Sequence, residues 1–188
     1  MTCPVFLSIT KEPEQSAFRR DMSGRSNRGL HMVVRDLMRN SPKSCTPTTN
    51  LAAVTELLWT CGFGALPVVD SSGGVVGIIT DRDICVALGT RDRRPSELVA
   101  EKVMSRQVAT CRTVDEINAA LKIMQTRKVR RLPVVNEAGK LEGILCMSDL
   151  ILDARHDDGT SPRLSYEDVI GALKGIYCHH SPVGVTHA

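Results

Sequence analysis

The sequence predicts an α/β fold, α+β-like in its local arrangement: two β-α-β-β-α repeats packed with pseudo-two-fold symmetry, plus a C-terminal helix. The first observation is an internal repeat at a fixed offset of 66, which carries Met38 onto Met104 and Cys45 onto Cys111. The second is that the same offset carries Leu66-Pro67-Val68-Val69 onto Leu132-Pro133-Val134-Val135, with no gap over roughly fifty residues. The third is that Gly73, Gly77-Ile78 and Asp83 fall on Gly139, Gly143-Ile144 and Asp149.

In the second repeat, Val108 to Thr110 reads as a short strand, and Thr113-Val114-Asp115-Glu116 has the form of a helix capping box. Val114, Ile117, Leu121 and Met124 then recur at helical spacing as far as about Arg127. Leu132 to Val135 is a continuous apolar run, expected as a buried strand. Asn136 to Gly139 is a turn with glycine where positive φ is expected, Leu141 to Leu145 is the next strand, and a helix opens near Ser148. In the first repeat, Thr48 or Thr49 is expected to cap a helix from about Asn50 that stops at Gly62. Asp70 to Gly73 makes a hairpin turn before the strand Val75 to Ile79, and Asp81 is expected to cap the helix after it. About fifty residues bury too little to stand alone, so the two repeats are expected to hide their apolar faces against each other.

These features divide the chain into a disordered extension over 1–31, the first repeat over 32–90, a linker helix and second repeat over 91–154, and a C-terminal helix and tail over 155–188. Residues 1–31 lack any sustained period, and Met32 is a candidate translation start. In the last segment Ser165 caps a helix whose apolar stripe is Val169, Ile170, Leu173, Ile176 and Tyr177.

The 188 residues are 42% apolar, 24% charged and 3% aromatic, so the core is built from aliphatic residues. A net charge of +3 without a basic, aromatic-studded stripe argues against a nucleic-acid partner. No run nears the ~20 apolar residues that cross a bilayer, and Met1 to Ile9 lacks the basic start of a signal peptide, so no membrane partner and a cytoplasmic location are expected. Seven cysteines, with no C-x-x-C pair, argue against a disulfide scaffold and fit a reducing compartment. Cys178-His179-His180 with His187 lacks a second ligand group at metal spacing and is read as polar tail. Cys45 and Cys111 are read as small residues packed in matching strands.

The chemistry concentrates where Gly77-Ile78-Ile79-Thr80-Asp81-Arg82-Asp83 ends a strand and opens a helix. A helix N-terminus presents unpaired N–H groups to an anion, and the Thr80 hydroxyl can add a hydrogen bond. Asp83, one turn along, repels an anion but suits a ribose diol as acceptor, so the pair suggests a nucleotide. The rival reading is that these residues only cap a helix.

With Val34-Arg35-Asp36-Leu37-Met38, Val129-Arg130-Arg131-Leu132-Pro133-Val134-Val135 and Gly143-Ile144-Leu145-Cys146-Met147-Ser148-Asp149, the chain from about Val34 to Leu152 resembles a tandem cystathionine β-synthase (CBS) domain pair, or Bateman module. The resemblance implies a non-catalytic sensor that takes AMP, ADP or ATP between its repeats, needs no cofactor, and forms a homodimer acting on an unidentified regulated protein. It places Thr80 on phosphate, Asp83 and Asp149 on ribose in two sister sites, and Arg130 and Arg131 in phosphate-contacting positions, with Arg82 in the motif between. Cys146 departs from the Ser or Thr of the pattern, and a thiol is a weak donor, so the Thr80–Asp83 site is expected to be the better one. The alternative is a ligand-free interaction adaptor, favoured by Cys146 and by Gly64 and Ala65 standing opposite the two arginines.

Overall fold

The computed structural model describes residues 32–156 and 164–178. The first repeat comprises helix α1 (Val34–Leu37), strand β1 (Arg39–Asn40), helix α2 (Leu51–Cys61), strands β2 (Ala65–Val69) and β3 (Val75–Thr80), and helix α3 (Asp81–Arg91). The second comprises β4 (Cys111–Arg112), α4 (Ile117–Arg127), β5 (Arg131–Val135), β6 (Leu141–Cys146) and α5 (Met147–Asp153), and helix α6 (Tyr166–Tyr177) follows. Where a linker helix was expected, the chain makes two 3-10 turns, Pro95–Glu97 and Ala100–Lys102.

Each hairpin is closed by one side chain. Asp70 accepts from the backbone N–H groups of Ser72 and Gly74, and Asn136, its counterpart, accepts from those of Ala138 and Lys140. Gly73 and Gly139 follow with φ of 84° and 74°, where a side chain would be strained. The two tips then pair with each other, Val75 N–H donating to Gly139 O and Leu141 N–H to Gly73 O. Those two bonds are related by the 66-residue offset, so the pseudo-two-fold axis runs between the tips.

The same offset governs a reciprocal exchange. β1 pairs antiparallel with β6 of the other repeat, Arg39 opposite Ile144, while Ser105, the counterpart of Arg39, bridges Ile78 on β3. Val34 N–H donates to Asp115 O and Ala100 N–H to Thr49 O; Ile117 N–H donates to Met32 O and Leu51 N–H to Leu98 O. The leading segment of each repeat therefore completes the other. Val34 and Leu37 are buried among Ile117, Met124, Leu132 and Leu145, whereas Ala100 and Met104 are buried among Leu51, Val54, Leu66 and Ile79. Two apolar cores result, in place of the single shared seam expected.

Several local expectations are corrected. The first cap of α2 is Asn50, whose side chain accepts from Ala53 N–H, while Thr48 and Thr49 bond to Thr46 in the preceding turn. α3 is capped by Thr80, not Asp81. The Thr113–Glu116 box does not form: Asp115 accepts from Arg112 N–H, the Thr113 and Asp115 carbonyls receive the incoming α1 segment, and α4 starts only at Ile117. Val114 is consequently exposed. β4 lies at Cys111–Arg112 rather than 108–110, because Cys111 pairs in parallel with Val134.

Helix α6 is capped by Ser165, which accepts from Asp168 N–H, and packs on α4 through Val169, Ala172 and Ile176. Ile170 and Tyr177, expected on that stripe, are exposed. Gly175 lies directly against the Gln125 side chain, with no room for a Cβ. Trp59, the counterpart of Gln125 on α2, is 70% exposed. The readings of residues 1–31 and of the histidine tail fall outside the described residues.

The exchanged strands sit tightly on glycine. A Cβ at Gly143 would come within 2.7 Å of Met38 Sδ and 3.0 Å of the Arg39 carbonyl oxygen, whereas at Gly77 only the flexible Met104 side chain is in the way. Gly143→Ala is therefore expected to cost about 1–3 kcal/mol in urea unfolding, and Gly77→Ala less.

Candidate functional site

The repeat motif places Thr80 at the end of β3 and Asp83 in the first turn of α3, an eleven-residue helix. The two close a reciprocal cap. Asp83 Oδ2 accepts from Thr80 N–H (2.9 Å) and from Thr80 Oγ1 (2.7 Å), and Asp83 N–H donates back to Thr80 Oγ1 (3.1 Å). Both side chains stay partly exposed, and Arg82 is exposed beside them.

Arg131, first residue of β5, reaches across the repeat boundary. A Cβ on Gly64 would meet Arg131 Nη2 at 3.3 Å and Asp81 Oδ2 at 3.2 Å, so the absence of a side chain at Gly64 lets the guanidinium lie beside the first turn of α3. Arg131 also stands opposite Cys146 in the β5–β6 ladder. Its neighbour Arg130 is not brought to this point: its Nη1 donates to Tyr177 Oη on α6 at 3.3 Å.

The second copy of the motif is built differently. Cys146 is buried and stands at the start of α5 without a side-chain hydrogen bond to the helix backbone. Burial chiefly pushes its thiol pKa up, with Asp149 adding to the rise and Arg131 and Arg39 opposing it. Asp149, whose side chain is 1% exposed, is held in a fork by Arg39: Nη2 donates to Oδ1 at 2.7 Å, and Nε donates to Oδ2 at 3.0 Å and to Oδ1 at 3.2 Å. The same contact raises the Arg39 pKa above its ordinary value against the effect of desolvation. Arg39 lies over Phe63, its guanidinium carbon 5.8 Å from the ring centroid.

Arg39 and Phe63 are absent from the residues that the sequence singles out. The available signal was the offset itself, which sets Arg39 against Ser105 and Phe63 against Val129. Among the described residues no group of three or more His, Cys, Asp or Glu side chains could hold a metal ion. Among the same residues no helix is long and apolar enough to cross a membrane.

These features define a duplicated α/β module with a motif-bearing helix start at each repeat. The CBS-domain family matches residues 34–90 and 99–154, and the chain belongs to that family. The CBS domain pair of MJ0100, solved with 5′-methylthioadenosine and S-adenosyl-L-methionine, superposes with a TM-score of 0.58 at 25% identity, over 64% of this chain and 93% of that one. CBSX2 in complex with AMP gives a TM-score of 0.57 at 27% identity, over 64% and 93%. The inosine-5′-monophosphate dehydrogenase of Mycobacterium tuberculosis is 33% identical over 119 residues, which are 63% of this chain and 22% of the enzyme. The protein MK0525 of Methanopyrus kandleri is 31% identical over 118 residues, 63% of this chain and 60% of its own length. The chain thus spans 60% and 22% of the length of these two curated relatives.

Two outcomes follow from this geometry. Arg39→Ala leaves a carboxylate buried and unpaired and is expected to cost on the order of 3 kcal/mol, whereas Asp149→Ala leaves an arginine 34% exposed to water and costs less, as urea unfolding will show. Burial also holds the Cys45 and Cys111 thiols up at about 11 and about 12, against an ordinary 9.0. The native state keeps protons that the unfolded chain releases, so this stabilisation is full below pH 9 and is lost as pH rises through 11 and 12. The urea midpoint at pH 10 is expected below that at pH 8, with a smaller fall in Cys45→Ala/Cys111→Ala.

Proposed function

We propose that this chain is a non-catalytic regulatory module that takes an adenine nucleotide, AMP, ADP or ATP, at the Thr80–Asp83 end of the repeat boundary. The observation that carries this reading is the convergence of a full-length helix start, a partly exposed Thr80–Asp83 cap and the half-buried guanidinium of Arg131 at Gly64.

In this assignment the α3 N-terminus and Thr80 Oγ1 face phosphate, Arg131 supplies a counter-charge, and Asp83 turns from Thr80 to the ribose hydroxyls. The adenosyl ligands in the names of MJ0100 and CBSX2 structures support the ligand class. Arg82 lies at the rim, and Arg130, engaged with Tyr177, is given no part in this site. The matched dehydrogenase aligns over 22% of its length, which argues against carrying its chemistry to this chain. A homodimer in the cytoplasm, acting on a separate target protein, completes the proposal.

Thermal melting with AMP tests it. Ligand at 100 times its Kd adds about 2.7 kcal/mol to the native state and raises the midpoint. Asp83→Ala is expected to weaken binding by roughly tenfold to a hundredfold, the equivalent of about 1.5–3 kcal/mol for hydrogen bonds to a charged acceptor. An unchanged affinity in the folded variant removes Asp83 from the site.

A further inference from the structure

We infer that Arg39 closes the second nucleotide position, so that this chain binds one adenine nucleotide, at the Asp83 end, and none at the Asp149 end. The inference rests on the nucleotide reading proposed above and adds the residue that sets its stoichiometry.

A ribose diol needs the carboxylate of Asp149 as acceptor, and both oxygens of that carboxylate already receive N–H groups from Arg39. The pair is charge-assisted and two-pronged, and a diol offers only two neutral hydroxyls in exchange. Displacing Arg39 would also strip a buried carboxylate of its counter-charge and break the contact with Phe63. Deprotonation offers no release, because an arginine paired in this way keeps its proton throughout the physiological range.

At the Asp83 end, by contrast, the offset places Ser105 where Arg39 stands and Val129 where Phe63 stands. Among the described residues Asp83 is held only by Thr80, three residues away, in a partly exposed cap that a ligand can replace bond for bond. The same carboxylate thus sits in two settings. A leading-strand residue, carried across by the exchange of β1, occupies one carboxylate and has no charged counterpart at the other.

Calorimetric titration with AMP tests this. Wild type is expected to bind one AMP per chain and Asp83→Ala one with roughly tenfold to hundredfold weaker affinity, while Arg39→Ser, which copies Ser105, binds two, and Arg39→Ser/Asp83→Ala binds one tightly and one weakly. Two AMP per wild-type chain, or a folded Arg39→Ser that still binds only one, overturns the role of Arg39 while leaving the Asp83 site standing. If wild type binds none and Arg39→Ser binds one, the Asp83 reading fails and the role of Arg39 survives. Should Arg39→Ser not fold, the Arg39 Nε–H resonance of AMP-saturated wild type decides. It is expected to stay where it is in the free protein, and its displacement or loss at saturation overturns the inference.

Discussion

The exchange of leading segments between the repeats is the constraint on which the rest of the structure depends. Each repeat is short of one buried segment, and the offset-related bonds of Val34 and Ala100 show that each takes it from the other. Neither apolar core is complete without residues from both halves, so the two repeats share one folding fate despite having separate interiors. The boundary between them is also fixed by backbone hydrogen bonds rather than by side-chain packing alone, which is what allows Arg131 to be placed reproducibly beside a helix of the other repeat.

On this symmetric frame the chemistry is unequal. The frame repeats backbone; the side chains at corresponding places do not match. Thr80 caps α3 with its hydroxyl while Cys146 offers α5 nothing, Asp83 stays at the surface while Asp149 is sealed beneath Arg39, and Arg131 has only Ala65 as its counterpart. Duplication supplied two potential sites. Substitutions at four or five positions give them different electrostatic characters without disturbing a single strand register.

The repeat itself, the order of elements, the turn glycines and the Leu-Pro-Val-Val strands were legible because each is a local pattern reinforced by its copy. Helix starts were less so. Thr113-Val114-Asp115-Glu116 has every chemical feature of a capping box, yet its carbonyls are claimed by Val34 and Arg35, about eighty residues upstream. Arg39 was illegible as a site residue for the same reason: its partner Asp149 is 110 positions away, and only the strand exchange brings them together. Thr80 and Asp83 could be singled out because a strand end and a helix start set their places within one repeat, whereas Arg131 was singled out only by the family resemblance, its contact at Gly64 lying across the repeat boundary. Tyr177 and Ile170 followed the helical period, but α4 offers α6 a seam too narrow to cover them.

Helix α6 has a consequence for how this object presents itself to its surroundings. A pair of equivalent repeats would show the same face after a half-turn, and nothing approaching it could tell one end from the other. With α6 laid over α4 on one side and Trp59 bare on the other, the two ends have distinct identities. The module has acquired a head and a tail. Anything that docks on it meets a directional surface.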